Sequence, residues 1–405
     1  MERTEARIVV VGAGQAGASL VARLRALGHR GPITLVGDEP APPYQRPPLS
    51  KGYLKGELTR ERLYLRPPDF YAGEGIELLT GAAVAAIDRA VREVRLADGR
   101  RLGYDLLALT TGAVPRRLPD ALGGDLAGVL VMRGLGHADA LAEAILPARR
   151  ALVVGGGYIG LEAAAVLAGK GLAVEVVEAA PRILSRVAAP ATADYFRALH
   201  ARHGVTIREG VALARLTGDT RVDGAELADG TRTDADLVLV GIGVEPATGL
   251  AAAAGLALDN GIAVDASGRT SDPAIFAAGD ATSFPYRGAR VRLESVPNAI
   301  DQAEAVAAAM LGGTEPYVAR PWFWSDQYDV KLQIAGLNAG WDRTILRPGV
   351  REGAQSVWYW GGDRLLSVDA MNDPRAYMTG KRMIEAGISP DPGAVADPGV
   401  DLKAL

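Results

Sequence analysis

The 405-residue sequence contains no cysteine. Without thiols the chain forms no disulfide, offers no thiolate ligand to a metal ion and ligates no iron–sulfur cluster of its own. Disulfide reductases with a redox-active cysteine pair, and peroxidases that use a cysteine sulfenic acid, are therefore excluded. Any iron–sulfur cluster that exchanges electrons with this chain must belong to another protein.

Long apolar runs and a large excess of one charge are also missing. No apolar run is long enough to span a bilayer, and the start from Met1 to Arg7 is short and polar, so we expect no signal peptide and a cytoplasmic protein. A formal net charge of −4 predicts no general attraction to nucleic acid or to acidic membranes. The length predicts two or three domains.

What the chain does contain is a strand, a glycine turn, a helix and a second strand near its start. The β-branched run from Ile8 to Val11 predicts a buried strand, and a second one runs from Ile33 to Val36. Between them lies Gly12 to Gly17, whose first glycine permits a tight turn, whose second lets the backbone approach a pyrophosphate, and whose third lets the helix pack closely. An acid behind the second strand, Asp38 or Glu39, is placed to accept hydrogen bonds from a ribose diol.

The same pattern occurs a second time. A strand from Ala151 to Val154 precedes the turn Gly155 to Gly160, and the following strand, Val174 to Val177, ends at Glu178. Each unit continues into a β-meander and then a further buried strand, which in the second unit is Leu237 to Val240. The first meander includes an expected strand from Val91 to Leu96, and the second has turn signals at Asp223-Gly224 and Asp229-Gly230. Two nucleotide-binding units are therefore expected in one chain.

Three other segments complete the predicted framework. A helix from Asn298 to Leu311 is expected, with Asn298 or Ser295 as its N-cap. Pro47 and Pro48 begin a short helical turn that would fix the position of Lys51. From residue 320 onward the chain becomes rich in aromatic residues, which indicates a separate C-terminal domain closed by a helix at about 375–386.

Three motifs narrow the interpretation: Phe276 to Asp280, Tyr44 to Lys51, and Trp322 to Tyr328. Together with the two glycine turns they resemble the NADH-dependent ferredoxin reductases of the putidaredoxin reductase and biphenyl dioxygenase reductase type. The resemblance covers nearly the whole chain. It implies an α/β fold with two Rossmann-like dinucleotide-binding domains of the glutathione reductase kind, plus an α+β C-terminal domain. The implied domains are an FAD-binding domain (1–111 and 246–319), an NADH-binding domain (112–245) and the C-terminal domain (320–405).

The resemblance also implies which residues hold FAD. Gly12, Gly14 and Gly17 would contact its pyrophosphate, Asp280 would bond the ribityl chain, and Val296 would direct a helix N-terminus at the flavin. The full implied FAD set is Gly12, Ala13, Gly14, Ala16, Gly17, Asp38, Glu39, Arg46, Lys51, Ala83, Val84, Thr111, Gly112, Arg133, Gly279, Asp280, Val296 and Trp324.

NADH is assigned to the second glycine turn in the same way. Glu178 would bind the adenosine ribose diol, and its charge would repel the 2′-phosphate of NADPH. Arg182 and Arg186 follow closely and could reach a phosphate, so strictness for NADH is left open. The implied NADH set is Gly155, Gly157, Tyr158, Ile159, Gly160, Glu162, Glu178, Arg186 and Gly243.

Lys51 and Glu162 are the predicted catalytic residues. A cation beside the flavin would stabilise its reduced form, while the carboxylate would pair with Lys51 and hold the nicotinamide. Neither residue has to transfer a proton, because hydride passes directly between the two cofactors. Tyr158 is predicted to gate the entry of the nicotinamide.

The implied electron acceptor is a two-iron ferredoxin that serves a haem mono-oxygenase or a Rieske oxygenase. Such a partner would dock transiently on a basic surface, with the chain itself a monomer or a weak dimer. Trp324 would lie near the docking face or else in the core. The basic candidates for docking are Arg60, Arg62, Arg66, Arg290, Arg292 and Lys331.

Two other functions are compatible with the same motifs. One is a reductase of a small quinone or radical acceptor; the other is a redox-signalling flavoprotein similar to apoptosis-inducing factor. The compact start of the chain and the lack of a long basic insertion count against the latter. His200 and His203 have ligand-like spacing on a predicted helix, but without a third ligand they are interpreted as a surface pair, and no metal site is expected.

Overall fold

The computed structural model describes residues 3–405, so Met1 and Glu2 of the predicted polar start lie outside the described residues. The described chain forms two compact units. Unit 1 contains the described residues up to Gln45, together with Arg60–Val114 and Glu245–Pro321. Unit 2 contains Arg46–Thr59, Pro115–Val244 and Trp322–Leu405. The short segment 46–59, which the predicted FAD domain included, and the C-terminal residues thus share a unit with the second glycine turn.

Unit 1 is centred on a five-stranded parallel sheet. Its middle strand lies between two neighbours in register, with Ile8 opposite Ile33 on one side and Leu106 on the other. All four residues of the middle strand are buried, which explains the uninterrupted β-branched run. In order across the sheet, the strands are Ile275–Ala277, Leu106–Leu109, Ile8–Val11, Ile33–Val36 and Ile76–Leu79.

Helices and two small sheets cover this sheet. The helices of unit 1 are Gln15–Ala26, Pro68–Gly73, Gly249–Ala253 and Val296–Met310, with 3-10 turns at Arg3–Glu5 and Glu61–Leu63. One small sheet is a meander of Val84–Asp88, Glu93–Leu96 and Arg101–Gly103, and the other contains Ile262–Ala263, Thr282–Tyr286 and Ala289–Val291. The longest helix begins two residues earlier than predicted, because Ser295 rather than Asn298 is its cap and accepts from the Asn298 N–H.

Unit 2 repeats the parallel sheet of unit 1. In order across the sheet, its strands are Thr206–Glu209, Ala173–Glu178, Arg150–Val154, Leu237–Val240 and Val129–Val131. A meander of Leu213–Thr217, Gly224–Leu227 and Arg232–Asp234 follows. The helices of this unit are Gly52–Lys55, Leu135–Ile145, Tyr158–Gly169, Pro190–Arg202, Pro374–Ala386 and Pro392–Ala396, with 3-10 turns at Pro47–Ser50, Asp120–Leu122 and Leu402–Ala404.

The C-terminal part of unit 2 is an antiparallel sheet with a helix packed on it. In order across the sheet, its strands are Trp322–Gln327, Val330–Gly336, Arg364–Met371, Gln355–Gly361 and Arg343–Pro348. The final segment is tied to this sheet by buried Arg347, whose guanidinium donates to the carbonyls of Val395 and Val400. The chain passes between the two units through the short strands Ala113–Pro115 and Val244–Pro246.

Two local predictions were wrong. The strand expected from Val91 begins at Glu93, because the Asp88 carboxylate accepts from the N–H groups of Ala90 and Val91 and makes a turn there. Gly224, expected in a turn, is the first residue of a strand. Among residues 3–405 no helix is long and apolar enough to cross a membrane.

Candidate cofactor and ion-pair site

The first glycine turn lies between the middle strand of unit 1 and the helix Gln15–Ala26. A Cβ atom on Gly12 would stand 2.2 Å from the Thr110 carbonyl oxygen, and one on Gly17 would stand 2.1 Å from the Gly12 oxygen. Both glycines are therefore required by the protein's own packing. A Cβ on Gly14 would meet nothing within 4 Å, so this face of the turn is open to a ligand. Two glycines required by packing and one with an open face are what a bound pyrophosphate requires.

The second glycine turn, in unit 2, has the same construction. A Cβ on Gly155 would lie 2.5 Å from the Gly241 oxygen, and one on Gly160 would lie 2.1 Å from the Gly155 oxygen. Gly157, which precedes the helix Tyr158–Gly169, again faces open space. Two turns with one open glycine each fit two dinucleotides.

Behind the second strand of unit 1, the predicted ribose acids lie beside the meander. The Gly37 carbonyl accepts from the Ala82 N–H at 2.8 Å, and the Glu39 carbonyl accepts from Gly81 at 2.9 Å. These bonds bring Ala83 and Val84 next to Asp38 and Glu39, as one adenosine site requires. The hydroxyl of Tyr44, the first residue of one of the three motifs but without a predicted role, donates to the Glu39 carboxylate.

The turn that carries Asp280 is held from inside by a buried glutamine. The Gln302 Oε1 atom accepts from the Gly279 N–H at 2.8 Å and from the Thr282 hydroxyl at 2.9 Å. The helix that contains Gln302 starts at Val296, the residue assigned to the flavin. Unit 1 thereby links the Asp280 turn to the Val296 helix. The contacts of Gln302 were not predicted from the sequence, since a polar residue inside a helix gives no local signal.

Thr111 and Gly112 follow the strand Leu106–Leu109. The Thr111 hydroxyl donates to the Ala247 carbonyl at 2.7 Å, and the Ala247 N–H donates to the Gly112 carbonyl at 2.9 Å. The preceding Thr110 hydroxyl donates to the Gly12 carbonyl at 2.8 Å. This loop is therefore attached to the first glycine turn.

In unit 2, Glu178 ends the second strand beside the glycine turn. Its carboxylate accepts from the N–H groups of Gly156 and Ala180, both at 2.7 Å. The carboxylate is thus held in a fixed orientation, with unused acceptor capacity for a ribose diol. The Arg186 guanidinium lies beside Gly243, 3.5 Å from the position of a Cβ there. Both belong to the predicted NADH set.

The predicted catalytic pair forms a close ion pair within unit 2. The Lys51 Nζ atom lies 2.6 Å from Glu162 Oε2, although 111 positions separate the two residues. Lys51 sits at the junction of the turn Pro47–Ser50 and the helix Gly52–Lys55, as the proline pair predicted. Glu162 lies in the second turn of its helix and is 5% exposed. A buried ion pair of this kind needs further hydrogen bonds to offset its desolvation.

Two serines provide those hydrogen bonds. The Ser50 hydroxyl donates to Glu162 Oε2 at 2.9 Å, and the Ser325 hydroxyl donates to Glu162 Oε1 at 2.7 Å. Both serines are buried. Both serines lie in motifs that were singled out from the sequence, but neither had a predicted role.

The residues that position this pair are followed or preceded in the chain by aromatic residues. Tyr158, one turn before Glu162, packs against Phe323 with ring centroids 5.0 Å apart, and half-buried Trp324 stacks on Trp322 at 5.4 Å. The Tyr158 hydroxyl is buried and has no hydrogen-bond partner among residues 3–405. Burial, together with the charges of Asp369 and Tyr359, raises the pKa of Tyr158 well above its usual range.

The predicted arginines belong either to the FAD set or to the docking candidates. Arg46 and Arg133 come together, with the Arg46 guanidinium donating to the Arg133 carbonyl at 3.0 Å. Among the basic docking candidates, Arg290 donates to the Val264 carbonyl and lies 3.5 Å from the Asp259 carboxylate, while Arg292 pairs with Glu294. The charges of these last two arginines are therefore partly neutralised within unit 1.

The prediction that His200 and His203 form a surface pair was wrong for His200. Its side chain is fully buried, because residues of the C-terminal sheet cover this end of the helix Pro190–Arg202. His203 stays exposed and stacks on the Tyr328 ring at 3.6 Å. Among residues 3–405 no group of three potential metal ligands occurs.

Two dinucleotide-binding turns, each with an acid behind its second strand, define a protein of the class that binds two dinucleotide cofactors in one chain. Comparison with known proteins agrees. Residues 6–303 match the pyridine nucleotide-disulphide oxidoreductase family, and residues 322–405 match the reductase C-terminal family.

Similar proteins match this chain over nearly its full length. The chain is 45% identical to probable ferredoxin reductase CtmF of Castellaniella defragrans, over 98% of both chains. It is 43% identical to putidaredoxin reductase CamA of Pseudomonas putida, over 98% of this chain and 96% of that one. The reductase in the crystal structure of a covalent putidaredoxin reductase–putidaredoxin complex is 42% identical, with a TM-score of 0.94 over 98% of this chain and 97% of that one.

The chain therefore belongs to the pyridine nucleotide-disulphide oxidoreductase family and, within it, to the ferredoxin reductases of the putidaredoxin reductase type. This confirms the predicted family, the α/β fold class, the oxidoreductase activity, and FAD and NAD(H) as the cofactors. The roles of individual residues stay predictions.

Proposed function

We propose that this protein takes hydride from NADH and passes single electrons to a two-iron ferredoxin that serves a haem mono-oxygenase or a Rieske oxygenase. The observation that carries the proposal is the buried Lys51–Glu162 ion pair beside the second glycine turn. Support for the partner comes from relatives named as ferredoxin and putidaredoxin reductases, one of them crystallised with putidaredoxin. Because NADH is the proposed electron donor, we infer that the protein is located in the cytoplasm.

In this proposal unit 1 holds most of the FAD contacts. The open face at Gly14 would take the pyrophosphate, Asp38 or Glu39 the adenosine ribose, Asp280 the ribityl chain, and Val296 the flavin end. Bound FAD supplies the conversion between a two-electron hydride and single electrons. The protein's contribution is to hold the cofactor with preformed donors, such as the backbone N–H groups at the start of the helix Gln15–Ala26.

Unit 2 would bind NADH and position its nicotinamide. The N–H groups at the start of the helix Tyr158–Gly169 would contact the pyrophosphate, and the anchored Glu178 would accept from the ribose diol. Glu162, held by Lys51 and two serine hydroxyls, would orient the carboxamide. The Lys51 side chain is only 17% exposed, so its charge acts on its surroundings with little screening by water.

Glu178→Ala is expected to weaken discrimination between NADH and NADPH by about tenfold or more, the effect of removing one charge that repels the 2′-phosphate. The ratio of kcat/KM for the two cofactors, measured with ferricyanide as acceptor, checks this prediction. Glu175→Ala, a change of the same kind three residues earlier in the strand, is the matched control, since its carboxylate pairs with Arg208 instead. Unchanged selectivity in Glu178→Ala would assign discrimination to Arg182 or Arg186.

The dependence of ferredoxin reduction on ionic strength tests the proposed partner. NADH should reduce both ferricyanide and a purified two-iron ferredoxin, and ferredoxin reduction should slow as ionic strength rises, because docking of an acidic ferredoxin on exposed Arg62 and Arg66 is screened. Steady-state kcat/KM for ferredoxin across a salt series measures this. A rate independent of salt would exclude electrostatic docking but would not contradict the reductase activity. Failure to reduce any ferredoxin would contradict the proposed function itself.

We also propose that the protein is a monomer or a weak dimer. Sedimentation at several protein concentrations would test this.

A further inference from the structure

A buried chain of hydrogen bonds ends at the Glu162 carboxylate. It runs through Ser325, one of the two serines that hold Glu162, and through two side chains of unit 2 that the proposed function does not use, Gln327 and His200. The His200 Nε2 atom lies 2.8 Å from Gln327 Oε1, Gln327 Nε2 lies 3.2 Å from Ser325 Oγ, and Ser325 Oγ lies 2.7 Å from Glu162 Oε1. All three are fully buried, so no water competes for these bonds.

Three separate elements build this chain. His200 lies near the end of the helix Pro190–Arg202, and Glu162 lies in the helix Tyr158–Gly169. Ser325 and Gln327 are two residues apart in the strand Trp322–Gln327, so both point to the same face of the sheet. The strand thereby connects the two helices through side chains alone.

The direction of every bond is fixed by chemistry. The Glu162 carboxylate only accepts, so Ser325 must donate its O–H to it, and the Ser325 oxygen must then accept from the Gln327 amide N–H. That leaves Gln327 Oε1 facing His200, and since an amide oxygen only accepts, His200 Nε2 must carry the proton. Each donor therefore points toward the carboxylate.

The far end of the chain is fixed as well. Burial lowers the pKa of His200 to about 4, so its ring is neutral at physiological pH and its Nδ1 atom can accept from the Tyr328 hydroxyl, 3.3 Å away. Tyr328 lies in the tight turn between two strands with a φ of +55°, a conformation that a bulky residue rarely adopts. In this strained conformation its ring also stacks on His203.

We propose that His200 is a positioning residue of the reductase, which acts through Gln327 and Ser325 to keep the Ser325 hydroxyl on Glu162 and so holds Glu162 in its ion pair with Lys51. The inference deepens the proposed function, because it rests on the assignment of Glu162 and Lys51 to the reaction. Without the His200 N–H, the Gln327 amide is free to turn over. Its oxygen would then face Ser325 and draw the serine hydroxyl away from Glu162.

The reactivity of the Lys51 amine toward an acetylating reagent reports this change directly, because a lysine held less tightly in its ion pair reacts faster. Trace acetylation of the FAD-loaded protein, followed by mass spectrometry, gives the reactivity of Lys51 relative to exposed Lys331 within the same molecule. His200→Phe fills the space but removes both hydrogen bonds, and we expect relative Lys51 labelling to rise about fivefold, the equivalent of one lost hydrogen bond. His200→Gln, whose amide N–H can replace Nε2–H, should stay close to the parent protein.

The matched control is His29→Phe, since His29 is also buried but lies in unit 1. It is expected to lower the melting temperature without changing Lys51 labelling. Equal labelling in His200→Phe and His29→Phe would overturn the proposal, as would a rise in His200→Gln as large as in His200→Phe.

Should His200→Phe fail to fold, Gln327→Glu takes its place in the test. Its two acceptor oxygens reproduce the turned amide with almost no change in shape, so Lys51 labelling should again rise, and an unchanged value would contradict the proposal. The labelling needs no turnover. A protein that failed to oxidise NADH would disprove the proposed function, whereas the labelling ratios would still decide whether the hydrogen-bond chain holds Glu162.

Discussion

Lys51→Met is expected to slow reduction of the bound flavin by NADH by about 10²-fold, the usual effect of removing one preorganised charged group from a reacting centre. Methionine keeps the length of the side chain but removes the cation. The Glu162 carboxylate, now without its 2.6 Å partner, would keep only the two serine donors in a buried setting. Single-turnover stopped-flow measurement of flavin reduction reports this step directly.

Lys55→Met is the matched control, because Lys55 is exposed and lies four residues further on, at the end of the next short helix. It should reduce flavin at the parent rate. An unaltered rate in Lys51→Met would exclude the ion pair from the reaction. Lys51→Arg, which keeps the charge but changes its shape, should fall between these two variants.

Asp369→Asn is expected to change how stability depends on pH. Burial raises the pKa of Asp369 to about 7, even though the hydroxyls of Tyr359 and Thr192 donate to its Oδ2 atom. Between about pH 4 and pH 7 the folded protein keeps this proton while the unfolded chain releases it, so stability falls as pH rises through that interval. The total loss is on the order of 4 kcal/mol above pH 7.

Asparagine has no proton to lose, so the variant should lack this decline. Its melting temperature, compared with that of the parent protein, should be clearly higher at pH 8 and show no such advantage at pH 5. Asp363→Asn, the same change at an exposed position in the turn of the same hairpin, should leave the curve of melting temperature against pH as it was. Parallel curves for Asp369→Asn and the parent would mean that Asp369 does not carry the extra proton.

The central strands were predictable because their signals are local. The runs Ile8–Val11, Ile33–Val36 and Leu237–Val240 have the predicted bounds, since buried parallel strands must be apolar on both faces. Gly12 and Gly155 were recognised from the local spacing of the glycines. The structure adds the contacts that require them, with Thr110 and Gly241 just after a neighbouring strand. Turns formed by a single side chain were harder to predict. The turn made by the Asp88 carboxylate, which delays the start of the next strand, is an example.

The site was only partly predictable, because its contacts join distant segments. Lys51 and Glu162 were paired through a family resemblance, and nothing in their local sequence indicates a contact across 111 positions. The spacing of His200 and His203 predicted a surface pair, but the strand that buries His200 comes 127 positions after it. Side chains such as Ser325, which act only through a neighbour, give no signal of their own.

The central claim is that a tightly held flavin receives electrons from NADH. Anaerobic titration of the purified protein with NADH, followed by visible absorbance, tests it most directly. We predict a yellow protein that loses its flavin absorbance with NADH and far less readily with NADPH. A colourless protein that cannot be reconstituted with FAD, or flavin absorbance that persists when NADH is added, would contradict the account.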